Sequence, residues 1–235
     1  MKNNKIKNIF IDLDNTILDF AMQEEVSLKK TFCKINLPFT KENIDEYYKI
    51  NYKMWRLLEQ NLIKREDIFE NRFLLFFKEI NFDFDPIEAE RIYEHFLGEG
   101  HFLVHNSLKL IKEIYLDYDL YIATNGIKHI QDRRIDSSKI RKYFKKIFIS
   151  DEIGFSKPDK RFFEACFKQI KNFKNEETII VGDSLTSDIQ GGINSNIKTV
   201  WLNKNNMKND TTIKPDFEIR NIYELKDILH ILNTN

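Results

Sequence analysis

Two textures of apolar spacing divide the chain. Between about Phe20 and Gly100, Phe, Leu, Ile and Tyr recur at intervals of three and four, which predicts helices over 20–35, 42–61, 65–80 and 87–98 and no strand. The stretches "KINLPFTKEN" and "NFDFDPIEAE" put proline and capping residues between them. From about Ser107 onward, short apolar runs ("YDLYIATN", "KKIFIS", "ETIIVGD", "IKTVWL", "PDFEI") alternate with amphipathic segments near 107–116, 127–135, 159–171, 186–195 and 222–232. Strands that alternate with helices build a parallel sheet with right-handed crossovers. The first apolar run, 6–13, has the same character, so the helical block is an insertion into an α/β domain directly after its first strand. The expected division is 1–19 with 101–235 for the α/β core and 20–100 for the helical insertion.

Composition narrows the partners. Acidic and basic residues balance at 37 each, which gives no electrostatic reason to expect a nucleic acid or a membrane surface. Apolar residues make up 42% of the 235, enough for a real core. Cys33 and Cys166 stand far apart with no CxxC spacing, which suits a reducing compartment. The N-terminal apolar run is broken by Asp12, and no window approaches a membrane span. A cytoplasmic protein is expected; oligomeric state is not readable.

In open α/β sheets ligands bind beyond the carboxyl ends of the strands, and here those ends carry the chemistry. The first strand ends in Asp12-Leu13-Asp14, two carboxylates on one face of an extended chain. The next ends in Thr124-Asn125-Gly126; "KKIFIS" leads to Ser156-Lys157-Pro158; "TIIVG" ends at Asp183, with Asp188 five residues on. Singly, each has a plain reading as a turn, a helix cap or a solvated lysine. Together they place four carboxylates, a lysine and a hydroxyl–amide pair on one edge. Four carboxylates in one cleft raise each other's pKa unless cations compensate, and one lysine is insufficient. A hard divalent ion, Mg²⁺ foremost, balances the cluster and leaves room for a phosphate. Asp12 and Asp183 can ligate it, Asp14 can offer its backbone carbonyl while its side chain stays free, Thr124 and Asn125 can donate to phosphate oxygens, and Lys157 supplies counter-charge. Such a set suits phosphoryl transfer with a carboxylate nucleophile.

"DLDNT", "ATNG", "SKPD" and "GDSLTSD", in this order, resemble the four motifs of the haloacid dehalogenase-like (HAD) hydrolase superfamily. The resemblance implies a Rossmann-like parallel-sheet core with an inserted all-helical cap. It implies that Asp12 attacks phosphorus, that Asp14 protonates the leaving group and then activates water, that Asp183 binds Mg²⁺, and that Asp188 orients that set. Dehalogenases of the superfamily lack the second aspartate, so Asp14 points to phosphate chemistry. "IGFSKPDKRFFE", "GDSLTSDIQGGINSN" and "WLN" are most similar to the bacterial pyrimidine 5′-nucleotidase group, which implies a (deoxy)pyrimidine nucleoside monophosphate as substrate. Ser195-Asn196 stands where that group has Ala-Gly, and Asn196 tolerates the left-handed conformation a helix end needs. His105-Asn106-Ser107 stands where it has Pro-Gly at the exit of the insertion, so the hinge of that group does not carry over. A phosphatase or phosphomutase acting on a sugar phosphate is the alternative, and a phospho-aspartate signalling module without turnover ranks last.

Other residues invite a role. His101 and His105 have the spacing of a metal pair but lack the glutamate of HExxH, so a structural or hinge role is expected. Gly191-Gly192 inside a helix is explained by close packing on the sheet. Trp55, beside Lys53 and Arg56, offers a flat face for a base, and core packing is the plain reading of an aromatic on a helix. Arg72 lies on an otherwise apolar face; snorkelling is the plain reading, and the resemblance favours a substrate contact. Phe20 is expected to line the cleft.

Overall fold

The computed structural model describes residues 5–60 and 62–234. These fall into two compact units, one of Met1–Phe20 with His101–Asn235 and the other of Ala21–Gly100.

The first unit is built on six parallel strands: β1 (Asn8–Ile11), β2 (Asp119–Thr124), β3 (Lys146–Ile149), β4 (Thr178–Gly182), β5 (Lys198–Leu202) and β6 (Phe217–Ile219). Their order is β3-β2-β1-β4-β5-β6, a Rossmann-like arrangement. Strand order reverses direction beside β1, and the crevice there is where open α/β sheets place ligands. The central strands read as unbroken apolar runs because both faces are covered. Alternation decides which face each side chain joins. Ile9, Ile11, Leu120, Ile122, Ile179 and Val181 pack in one core layer, and Phe10, Tyr121, Ala123 and Ile180 in the other.

The second unit contains four helices, α1 (Phe20–Lys34, whose first residue belongs to the sheet unit), α2 (Lys41–Glu59), α3 (Arg65–Ile80) and α4 (Pro86–Leu97). Thr40 caps α2 by accepting from Asn43 N, and Asp85 caps α4 from Ile87 N with Pro86 in the first turn. Their buried faces meet in an aromatic core in which Phe32 stacks on Phe76 at 5.6 Å and Tyr47 lies 5.7 Å from Tyr93.

Covering the sheet are α5 (Ser107–Ile114), α6 (Lys128–Ser137), α7 (Ser150–Ile153), α8 (Lys160–Phe167), α9 (Gln190–Asn194) and α10 (Leu225–Thr234). The segment expected as one helix over 186–195 opens instead as a wide turn, Leu185–Ile189, in which both Asp188 N and Ile189 N donate to Ser184 O. A Cβ on Gly192 would sit 2.6 Å from Thr199 and 2.7 Å from Ile180, so α9 packs on the sheet as closely as its glycines imply. Most left-handed positions among the described residues are asparagine: Asn15, Asn36, Asn81, Asn106, Asn172, Asn196 and Asn206 have positive φ, as do Lys139 and Gly154.

Candidate active site

Register brings the four strand-end segments together. Ile11 pairs with Ile122 on one side and Val181 on the other, and Asp12 N continues the ladder by donating to Val181 O at 2.9 Å. Asp12 therefore lies level with the ends of β2 and β4. By alternation it shares the face of Phe10, the side on which the segment before α8 delivers Lys157.

Lys157 is the electrostatic hub. Its Nζ donates to Asp12 Oδ1 at 2.7 Å, Asp188 Oδ1 at 2.6 Å and Ala123 O at 2.6 Å. The residue is 1% exposed, so these bonds have no competition from water. Burial alone would depress the ammonium's pKa, but Asp12 and Asp188 outweigh it and hold the group above its ordinary value. All three donors are taken, so Lys157 stands as counter-charge to two aspartates, and the direct phosphate contact expected of it is not provided by a spare N–H.

Asn125 also departs from expectation. Its Nδ2 donates to Lys157 O at 2.9 Å and Ser187 Oγ at 3.3 Å, and its Oδ1 accepts from Lys157 N at 2.8 Å. The side chain ties three segments together, and neither amide hydrogen is left for a phosphate oxygen.

Asp188 reaches back across the wide turn. Its second oxygen accepts from Ser184 N at 3.1 Å. Gly182 makes this approach possible, since a Cβ there would lie 2.2 Å from Asp188 Oδ2. Trp201 on β5 fixes the neighbouring backbone through Nε1 to Asp183 O at 2.9 Å. Asp12, Asp183 and Asp188 bring carboxylate oxygens within 4.8 Å of one another. Burial first, and then the neighbouring carboxylates, raise Asp12 well above its usual range despite Lys157, and push Asp183 up to about 7.

Such a cluster carries more negative charge than one lysine neutralises, and its donors are all hard oxygens. These residues fit a divalent cation of the Mg²⁺ type. Asp12 and Asp183 are the members to hold it, because both oxygens of Asp188 are already engaged.

The side chain of Asp14, expected to be free, is held on both oxygens. Gln131 Nε2 donates to Oδ2 at 2.7 Å, and Arg134 Nη1 forms an ion pair with Oδ1. Thr124, buried at the end of β2, accepts from Gln131 Nε2 at 2.8 Å and from Gly126 N at 3.2 Å. Reading the sequence alone missed Gln131 and Arg134. The available signal was their spacing on α6, where two polar residues share the inward face with Ile130 and Ile135. Phe20 is half-buried, with the Arg134 guanidinium 5.3 Å from its ring centre.

The two residues expected to read a substrate from the helical unit both lie near Phe69. Trp55 on α2 is half-buried and edge-on to Phe69, with ring centres 6.5 Å apart. Arg72 on α3 is not placed as a substrate contact. It is 3% exposed, pairs through Nε (2.7 Å) and Nη2 with the two oxygens of Glu90, and lies 4.6 Å from the Tyr93 ring centre. Its guanidinium is committed to the interior, as a buried arginine must be to offset the loss of water.

A doubly wound parallel sheet with an aspartate–lysine cluster at its reversal point defines a class of α/β hydrolases. The chain belongs to the haloacid dehalogenase-like hydrolase family, whose profile matches residues 9–202. It is 38% identical over 230 residues to YfnB of Bacillus subtilis, described as a HAD-hydrolase, covering 98% of each chain. It is 34% identical to the pyrimidine 5′-nucleotidase PynA of Streptococcus pneumoniae, over 97% of this chain and 96% of that one, and 27% identical to the pyrimidine 5′-nucleotidase YjjG of Escherichia coli. A crystal structure of YfnB bound to magnesium, described as revealing interdomain movement, matches with a TM-score of 0.91 over 96% of this chain and 99% of that one. Among the described residues, no helix is long and apolar enough to cross a membrane.

Proposed function

We propose that this hydrolase is a Mg²⁺-dependent phosphomonoesterase acting on pyrimidine nucleoside monophosphates, deoxynucleotides included. The observation that carries the phosphatase chemistry is the placement of Asp12 and Asp14. Asp12 is buried against Lys157 at the reversal point, and Asp14, two residues on, is turned toward α6. One carboxylate is thus separated from the other and the two can take different roles. Similarity to PynA and YjjG supports the nucleotide assignment.

In this mechanism an Asp12 carboxylate oxygen attacks phosphorus. The new bond makes an aspartyl phosphate as the phosphorus–oxygen bond to the nucleoside breaks, and protonated Asp14 gives its proton to the departing oxygen. The Asp14 carboxylate then takes a proton from water, whose oxygen displaces Asp12 and releases orthophosphate. Lys157 keeps Asp12 compensated in a buried site. Asp12, Asp183 and the Asp14 backbone carbonyl would hold Mg²⁺, with Asp188 orienting the set, and the bound ion would supply electrostatic stabilisation of the phosphoryl oxygens. The 20–100 insertion acts as the cap that selects the leaving group, with Trp55 its candidate for stacking on the base.

Phosphate release from a panel of monophosphates, with Mg²⁺ and with a chelator, tests this reading. Pyrimidine deoxynucleotides should outrun purine nucleotides and sugar phosphates, and the chelator should stop turnover. Faster release from a sugar phosphate would overturn the nucleotidase assignment, and no release from any monoester would overturn the phosphatase.

A further inference from the structure

Two buried polar residues of α6 lie against Asp14 and Thr124 and have no part in the mechanism above. Gln131 and Arg134 are each 1% exposed, on a helix face whose other members, Ile130 and Ile135, are apolar. Fold stability alone favours hydrocarbon at such positions. Arg134 is also a costly choice, because its Nε is buried with no hydrogen-bond partner.

The bonds these residues make have a fixed direction. Arg134 Nη1 donates to Gln131 Oε1 at 2.7 Å as well as to Asp14. A guanidinium only donates, so the Gln131 oxygen must face Arg134 and its NH₂ must face the other way. The two amide hydrogens then go one each to Asp14 Oδ2 and Thr124 Oγ1, at 2.7 and 2.8 Å. With the bond from Gly126 N, the Thr124 oxygen accepts twice. Both of its lone pairs are occupied, and among the described residues no acceptor takes its proton. A buried hydroxyl with an uncommitted proton wants an anion.

We propose that Gln131 and Arg134 are positioning residues that set the polarity of this chain of hydrogen bonds. Arg134 orients Gln131; Gln131 leaves the Thr124 hydroxyl able only to donate, to a phosphoryl oxygen, and holds the Asp14 carboxylate at one orientation with a lone pair on each oxygen open for proton transfer. Phosphate binding and acid–base catalysis are thereby linked through one side chain. The acid–base half of this rests on the phosphatase reading; the phosphate-binding half does not.

Three variants in the full-length protein test it: Gln131→Leu, Arg134→Met and Arg134→Lys. Orthophosphate binding is measured by calorimetry with Mg²⁺, and kcat for a nucleoside monophosphate, a poor leaving group, is compared with kcat for 4-nitrophenyl phosphate, a good one. Gln131→Leu and Arg134→Met should each weaken orthophosphate by about tenfold or more, as loss of a hydrogen bond to a charged group does. Each should also lower kcat for the nucleotide more than for the nitrophenyl ester. Lysine can still donate to both Gln131 and Asp14, so Arg134→Lys should recover most of both effects. Unchanged orthophosphate affinity and an unchanged ratio of rates, even with a lowered Tm, would make both residues merely structural and overturn the proposal. So would an Arg134→Lys protein no better than Arg134→Met. If Arg134→Met does not fold, Gln131→Leu alone decides. A wild type that binds orthophosphate but hydrolyses no monoester would sink the enzymatic reading and leave the Thr124–Gln131 half to be judged by binding.

Discussion

Lys157→Met removes one charge and little volume, and the structure says what should follow. The ammonium lies 2.7 Å from one carboxylate and 2.6 Å from another, in a site closed to water. At an effective dielectric near 20, each attraction at that range is about 6 kcal/mol before desolvation is counted. Desolvation of the three ions cancels much of it, and removal of one partner from a buried ionic cluster costs about 3–5 kcal/mol. For a chain of this length each kcal/mol moves Tm by about 2–4 °C, so a fall of roughly 6–20 °C is expected. The fall must also depend on pH. Burial and nearby carboxylates already hold Asp12 above its ordinary range, and Lys157 is the group that opposes them. Without it, Asp12 rises further. A carboxyl raised in the folded state contributes stability that is full below its unfolded value and lost as pH climbs through the folded one. The variant should therefore lose more stability near pH 8 than near pH 5, where a proton replaces the lysine's charge. Thermal melts of both proteins in a chelator, at the two pH values, measure this. A shift below about 2 °C, or the same shift at both, would refute the reasoning.

Three further outcomes follow from the same geometry. Asp183, pushed up to about 7 from its ordinary 3.8, must lose its proton to ligate a cation, so its contribution to metal-free stability fades through that interval. The rise in Tm on adding Mg²⁺ should accordingly grow between about pH 5 and 8, and a flat response would contradict the metal assignment. Arg72→Met strands Glu90 in the helical interior and should cost about 3–5 kcal/mol by chemical denaturation, while the ratio of kcat/KM for nucleotide and nitrophenyl phosphate stays put; a selective loss for the nucleotide would restore Arg72 as a substrate contact. Asp14→Asn should lower turnover of the nucleotide by about 10²–10⁴-fold, and less for the nitrophenyl ester, which needs no proton; equal losses would deny the general-acid role.

The alternation of strands and helices was legible because the central apolar runs, β1 and β4, are buried on both faces and the helices between strands keep an apolar stripe. Of the left-handed asparagines only Asn196 was legible, from the helix end it closes. At the site, the strand-end aspartates and Lys157 could be gathered from sequence because their segments end at one edge of a parallel sheet. What each side chain does there could not, since that depends on which partner lies within 3 Å. Asn125 looked like a phosphate donor until its amide was seen to hold the Lys157 segment. Asp14 looked free, although α6 supplies both its partners from more than a hundred residues away. The helix expected over 186–195 became a wide turn because Asp188 has to face back toward Lys157 and Ser184 N. Arg72 was misread for a simpler reason: its partner Glu90 lies on the next helix, and pairing between helices leaves no trace in either one's periodicity.

The central claim is that Asp12 attacks phosphorus, and trapping the covalent enzyme tests it most directly. Protein mixed with Mg²⁺ and a phosphorus-labelled pyrimidine deoxynucleotide is quenched in acid within one turnover, digested and mapped by mass spectrometry. The account predicts one phosphoryl group on the peptide containing Asp12, absent in Asp12→Asn, which should also be inactive. Label on another residue, or an unlabelled protein that still releases phosphate at the wild-type rate, would contradict it.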